Sequence, residues 1–274
     1  MPTKTITAGG IPIVYDPAEE DTAGMIRGVC EQTLRLVREG WGLPPPKDCR
    51  IYVMTSYFRW MFQAAPWPWR VFLGMTIPLW ISRTRRVWPV SAGWTLRFGK
   101  KTAIGVKPPR LTAQSDRSIG SKVFVEEKDP AVKLRTTACH ELVHACAAHL
   151  ILPMWLNEGM AMATVDRLVG RPTVRRETLP LVRDFSPKKA PPGYREVQSK
   201  LGQTTVYHAA RGYWLVRYLE EQRPGFLKGI FSRRRNAKAI EAAVAAELRM
   251  EPRRFWADID GVLYDHFEPK GSRP

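Results

Sequence analysis

Residues 130–150, PAVKLRTTACHELVHACAAHL, constrain the fold more than any other stretch, because they read as one helix with two chemically different sides. Asp129-Pro130 marks its start: an acidic cap precedes a proline at the first helical position, where a missing N–H costs nothing. Cys139, Leu142, Val143, Cys146 and Leu150 recur at three- and four-residue steps and form a core-facing stripe. His140, Glu141 and His144 lie around the other side. Four residues rotate a helix by a net ~40°, so the two imidazoles leave one face a turn apart and can converge on a tetrahedral ion. Glu141, ~100° from His140, can reach a water at that point but is too displaced to be an equal ligand. Thr137 and Ala148, near the same face, are small enough to admit another helix. His149 stands ~140° from His144 and is read as a structural histidine.

A third ligand is needed, and Pro153-Met154-Trp155-Leu156-Asn157-Glu158-Gly159-Met160-Ala161 offers Glu158. The thirteen residues between His144 and Glu158 let one helix end near Pro153 and a second fold back across it. A carboxylate among Trp155, Leu156, Met160 and Ala161 is costly to bury unless it is paired or bound to a cation. The competing reading is a pair of structural histidines and a surface glutamate near a helix N-terminus.

HELVH followed by PMWLNEGMA resembles the gluzincin metallopeptidases, and among them the small peptidase-MA-like members related to the catalytic domains of thermolysin and aminopeptidase N. The match is specific over residues 137–163 and looser at Ala210–Leu219, which is similar to the family's substrate-side helix. The resemblance implies a zincin-like fold and a Zn2+ ion held by His140, His144 and Glu158. It also implies hydrolysis of peptide bonds with Glu141 as general base. Two positions depart from the larger aminopeptidases. Their oxyanion tyrosine is replaced by Ala209, which leaves Tyr207 and His208 as candidates for that role. Their exopeptidase glutamate is missing, and Ile104-Gly105-Val106-Lys107 presents a lysine instead.

The rest of the chain is consistent with an α+β fold. IPIVY at 11–15, an amphipathic helix carrying Ile26, Val29, Cys30, Thr33, Leu34 and Val37 up to Gly40, and RIYVM at 50–54 give β-α-β in outline. TAIGVK at 102–107 and KVFVEE at 122–127 read as further strands. Residues 57–99 hold six of the ten tryptophans, interleaved with Pro66, Pro68, Pro78 and Pro89. That many prolines argue against a long helix, and the segment reads as an irregular insertion packing its aromatics on the core. A monotopic membrane contact or a ligand rim is the alternative, since Arg70, Arg83, Arg85 and Arg86 stand beside the indoles. Its most apolar run, residues 71–81, is far shorter than the ~20 residues that span a bilayer. Beyond residue 153 the chain reads as helical at 155–168, 203–222, 224–231, 236–248 and 252–266. The expected organisation is residues 1–154 as an N-terminal sub-domain with a small mixed sheet, the metal helix and the insertion. Residues 155–274 form a helical sub-domain supplying the third ligand, and the two make one catalytic unit.

Charge bears on partners. With 43 Lys+Arg against 26 Asp+Glu the formal net charge is +17, which suits nucleic acid, an anionic membrane face or an acidic peptide or protein substrate. Ten basic residues between 83 and 122 face Asp116 alone. Together with Arg233-Arg234-Arg235 they motivate a second reading, a nucleic-acid-associated protein that is either a DNA-tethered protease or a binding module with a vestigial site. Four cysteines without a CxxC pair are read as reduced, and no secretory or membrane-spanning segment is read, so the expected location is cytoplasmic.

Overall fold

A computed structural model describes residues 2–112, 120–186, 188, 191, 203–233 and 236–268. The chain is α+β. Five strands, β1 (Lys4–Ala8), β2 (Ile11–Tyr15), β3 (Cys49–Val53), β4 (Gly93–Phe98) and β5 (Lys101–Val106), form one sheet in the order β1-β2-β3-β5-β4. The inner strands β2, β3 and β5 are parallel, and β1 and β4 close the two ends antiparallel. Helix α1 (Glu20–Trp41) makes the crossover from β2 to β3, and its expected stripe from Ile26 to Val37 is buried or nearly so. It ends one residue beyond Gly40, at Trp41, and Gly42 caps it with φ 68°.

Strand periodicity divides the apolar side chains between two cores. Ile51 and Val53 of β3, with Ile104 and Val106 of β5, join the larger one. Tyr52 and Ala103 point the other way, into a smaller cluster with Met54, Trp60, Met61, Ala65 and Phe98. The smaller core is covered by the 57–99 segment, which is not irregular. It forms α2 (Tyr57–Ala64), α3 (Trp67–Met75) and α4 (Ile77–Val87), followed by the strand β4, which the sequence reading did not anticipate. The prolines segment these helices without abolishing them, because Pro68 and Pro78 sit in the first turns of α3 and α4. Only part of the aromatic set packs inward: Tyr57 touches Trp60, Trp80, Trp88 and Trp94, while Trp67 is 74% exposed.

The larger core continues through α5 (Pro130–Ala147), α6 (Met154–Val169), α7 (Thr178–Asp184), α8 (Gln203–Gln222), α9 (Phe226–Phe231), α10 (Ala237–Glu247) and α11 (Phe255–Phe267). Packing is therefore continuous across residue 154. Two elements differ from expectation besides β4: β1 pairs with β2 although no strand was read there, and α7 was not foreseen. KVFVEE is not a strand. Ser121–Val123 is a helical turn, and Phe124 makes only an isolated bridge to Val174, since no neighbouring strand offers it a ladder.

Helices α6 and α8 cross backbone to backbone. A Cβ on Gly159 would overlap the carbonyl of Gly212, and one on Gly212 would overlap the carbonyl of Trp155, so both glycines are required by close approach. The helical layers are then tied by two buried carboxylates. Asp166 accepts from the backbone N–H and hydroxyl of Thr173, both 2.7 Å, and from the Tyr213 hydroxyl at 2.6 Å. Asp260 accepts from Arg211 Nε at 2.6 Å and the Tyr207 hydroxyl at 2.8 Å, with Lys188 Nζ at 2.9 Å. Arg211 is wholly buried, and removing the aspartate would strand its charge. Asp260→Ala should lower unfolding stability by about 3–5 kcal/mol in denaturant titrations; a loss under about 1 kcal/mol would show that the network does not support the fold.

Candidate metal centre

Helix α5 presents the histidines because its other flanks are occupied. Asp129 caps it, its side chain accepting from the Ala131 N–H at 2.8 Å; Leu142, Val143 and Cys146 are buried in the larger core, Cys139 is buried as well, and Leu150 packs against that core half-buried. His140 and His144 are left on the half-open side, with side chains 20% and 11% exposed. After a short loop, Pro153 starts α6, which lies across α5 and places Glu158 opposite both rings.

The three side chains converge. His140 Nε2 and His144 Nε2 are 3.0 Å apart, Glu158 Oε2 is 3.3 Å from His140 Nε2, and Glu158 Oε1 is 3.5 Å from His144 Nε2. Four-coordinate zinc with bonds of ~2.0–2.1 Å sets its ligand atoms roughly 3.3 Å apart, so this donor set fits such an ion. It is also the one group of three or more His, Cys, Asp or Glu with metal-holding proximity among the described residues. His144 Nδ1 is buried without a hydrogen-bond partner among them.

Glu141 sits beside the cluster, on the strand side of α5. Thr95 of β4 donates its hydroxyl to Glu141 Oε2 at 2.7 Å and lies 3.0 Å from the Glu141 carbonyl oxygen. Gly93 of the same strand lies so close that a Cβ there would stand 2.7 Å from Glu141 Cγ and 3.0 Å from both Glu141 Oε1 and Thr137 Cγ2. Burial pushes the Glu141 carboxyl up to about 7; His144 and the Thr95 hydrogen bond oppose that rise, and Glu158 adds slightly to it. Thr137 thus packs against a strand rather than the additional helix expected. Ala148 likewise offers its carbonyl to Arg97 Nη1 of β4 at 2.6 Å. Gly93 and Thr95 were missed in the sequence. Their signal was present as the alternation Trp94-Thr95-Leu96-Arg97-Phe98 before the two-residue turn Gly99-Lys100.

Comparison with protein-family models, with curated proteins and with solved structures gave no match. The assignment of the cluster rests on its geometry and on the residue pattern.

The remaining candidates lie elsewhere. The Tyr207 hydroxyl is committed to Asp260 and its ring stacks on Phe185 at 4.0 Å. His208 is buried against the same two rings and is not in the metal-holding group. His149 is exposed and bonds the Cys146 carbonyl at 2.9 Å through Nδ1. All four cysteines are free and buried, and burial pushes their thiols up to about 12. Part of the basic stretch is engaged: Arg110 pairs with Glu19 at 2.5 Å and Arg97 with backbone carbonyls. Asp116, Arg117, Arg234 and Arg235 lie outside the described residues.

Lys107 lines no cleft. It is 1% exposed, its ammonium stands 4.1 Å from the Trp88 ring centroid and donates to the Trp88 carbonyl, and no carboxylate pairs with it among the described residues. Burial lowers its pKa from 10.5 to about 8. Below pH 8 the charge is buried in full. Between about pH 8 and 10.5 the unfolded chain binds more protons than the folded one, so this penalty is relieved as pH rises. Lys107→Met should therefore raise stability by about 1–3 kcal/mol near neutrality, with a gain that shrinks toward about pH 10. Parallel denaturant titrations at the two pH values check this, and an equal gain at both would contradict a buried ammonium.

Proposed function

We propose that this chain is a zinc-dependent metallopeptidase of zincin-like architecture, with His140, His144 and Glu158 as ligands and Glu141 as general base. The observation that carries the reading is the convergence of His140, His144 and Glu158 at 3.0–3.5 Å, with Glu141 oriented beside them by a strand. A purely structural ion-pair cluster explains this less well. One Nε2–H donated to the other Nε2 would also bring the two rings to 3.0 Å; what favours a shared cation is that Glu158 sets one oxygen 3.3 Å and the other 3.5 Å from the same two nitrogens, so that three donors face one point.

Zinc bound there would act as a Lewis acid on a carbonyl oxygen and lower the pKa of water toward neutrality. The chain's own residues do the rest. Glu141 takes the proton of the attacking water and later delivers it to the leaving amine. Thr95 holds one carboxylate oxygen of Glu141 in place, and the missing side chain at Gly93 leaves room for the other. Because β4 ends the sheet, one of its backbone edges has no strand neighbour among the described residues, and an extended peptide pairs along such an edge. Arg97 on that strand is exposed and bonded to the backbone carbonyls of Gly99 and Ala148 rather than to a carboxylate among the described residues, so its unneutralised charge favours acidic side chains in the substrate. Tyr207 is held in the Asp260 network, so the proposal gives it and His208 no catalytic part.

Glu141→Gln should keep zinc and lose about 100- to 10,000-fold in peptide hydrolysis, whereas His140→Ala or Glu158→Ala should lose both. Gly93→Ala should also keep zinc while slowing turnover by about 100-fold, through displacement of Glu141. Zinc content and turnover of each purified variant decide this, and an undiminished rate in Glu141→Gln would sink the mechanism.

A further inference from the structure

The helical hairpin α3–α4 carries an apolar surface that none of the described residues covers. Nine large hydrophobic residues are exposed among those described, and six of them, Trp67, Trp69, Val71, Phe72, Met75 and Leu79, lie between residues 67 and 79. Trp67, Val71 and Met75 follow at four-residue steps, so they form one outward stripe on α3. Leu79, 82% exposed, extends it into the first turn of α4. The inner face is fixed. Leu73 packs against the smaller core, the Trp80 indole donates to the Leu73 carbonyl at 3.2 Å, and Phe58 lies against Trp80 at 5.3 Å. The stripe is thus held outward by a well-anchored scaffold.

Charge identifies the occupant. No Asp or Glu occurs from residue 49 to 115, while eleven Lys and Arg do. Arg70, Arg85 and Arg86 are exposed on the hairpin and form no ion pair with a carboxylate among the described residues. We propose that the α3–α4 hairpin docks this protein on an anionic lipid bilayer, with the stripe of Trp67, Val71, Met75 and Leu79 in the interfacial layer and the arginines at the headgroups. Indole rings favour that layer, and an amphipathic helix with a basic flank lies in its plane. The hairpin lies on the membrane rather than through it, since no described helix is long and apolar enough to cross one. A second copy is a poor occupant, because a two-fold contact through this patch would set the three arginines against their own equivalents. The hairpin shares no residue with the metal cluster, yet α4 leads into β4, the strand on Glu141, so docking would hold the candidate site near the lipid surface.

The test is co-sedimentation of the full chain with phosphatidylcholine vesicles with and without phosphatidylglycerol, at low and high salt. Binding is expected only with phosphatidylglycerol and should weaken as salt rises. The triple variant W67S/M75Q/L79S should bind about ten-fold or more weakly, with an unchanged thermal melt because all three side chains are exposed. R85Q/R86Q should bind several-fold more weakly and with less salt dependence. Absence of vesicle binding at low salt would overturn the proposal. So would a triple variant that binds like the parent, which would mean adsorption of a basic chain only. A lipid-free dimer abolished by the triple variant would assign the patch to a second copy instead and equally overturn it.

Discussion

Helix α5 is packed on three sides, and the rest of the molecule is arranged around it. One flank carries Leu142, Val143 and Cys146 into the larger core, and α6 closes over another. The sheet reaches its third side through β4, whose Gly93 and Thr95 sit on Glu141. Polar groups on a buried helix are tolerated only with partners. Here the partners come from two directions: a hydroxyl and a side-chain-free position from the sheet, and a carboxylate from the helical half. The two imidazoles and Glu158 meet where those halves join. A site built between two rigid layers is more tightly positioned than one carried on loops.

What the sequence revealed follows from which periodicities were uninterrupted. The stripe of α1, the two-sided character of α5 and the β-α-β opening rest on regular patterns, and each is present in the structure. The prolines of 57–99 do exclude a long helix, as expected, but not short ones, and there the expectation of an irregular segment fails. Pro68 and Pro78 occupy the one turn where proline is harmless, so three short helices survive. The same reading hid β4 inside a supposedly irregular stretch, and with it Gly93 and Thr95. KVFVEE shows the opposite error: alternation was present, but a strand also needs a neighbour, and only Val174 bridges to Phe124. Tyr207 illustrates a third kind of limit. Its place beside an Arg-Gly pair was visible in the sequence, but the aspartate that engages its hydroxyl lies 53 residues away.

The basic character divides in a similar way. Some cations serve the fold: Arg211 on Asp260, Arg110 on Glu19, and Lys107 sealed against Trp88. Others stay at the surface beside outward aromatics on α3 and α4. Net charge alone does not separate these roles, because it is blind to burial. Two tryptophan populations separate likewise, Trp60, Trp88 and Trp94 inside the smaller core's surroundings and Trp67 outside.

The central claim is that α5 and α6 together hold one metal ion. X-ray absorption spectroscopy on the zinc-loaded protein addresses it most directly. The account predicts one zinc per chain with light-atom scattering at ~2.0–2.1 Å, including the multiple-scattering signature of two imidazoles and no sulfur shell. Zinc that is not retained, or a shell at ~2.3 Å from cysteine sulfur, would contradict it.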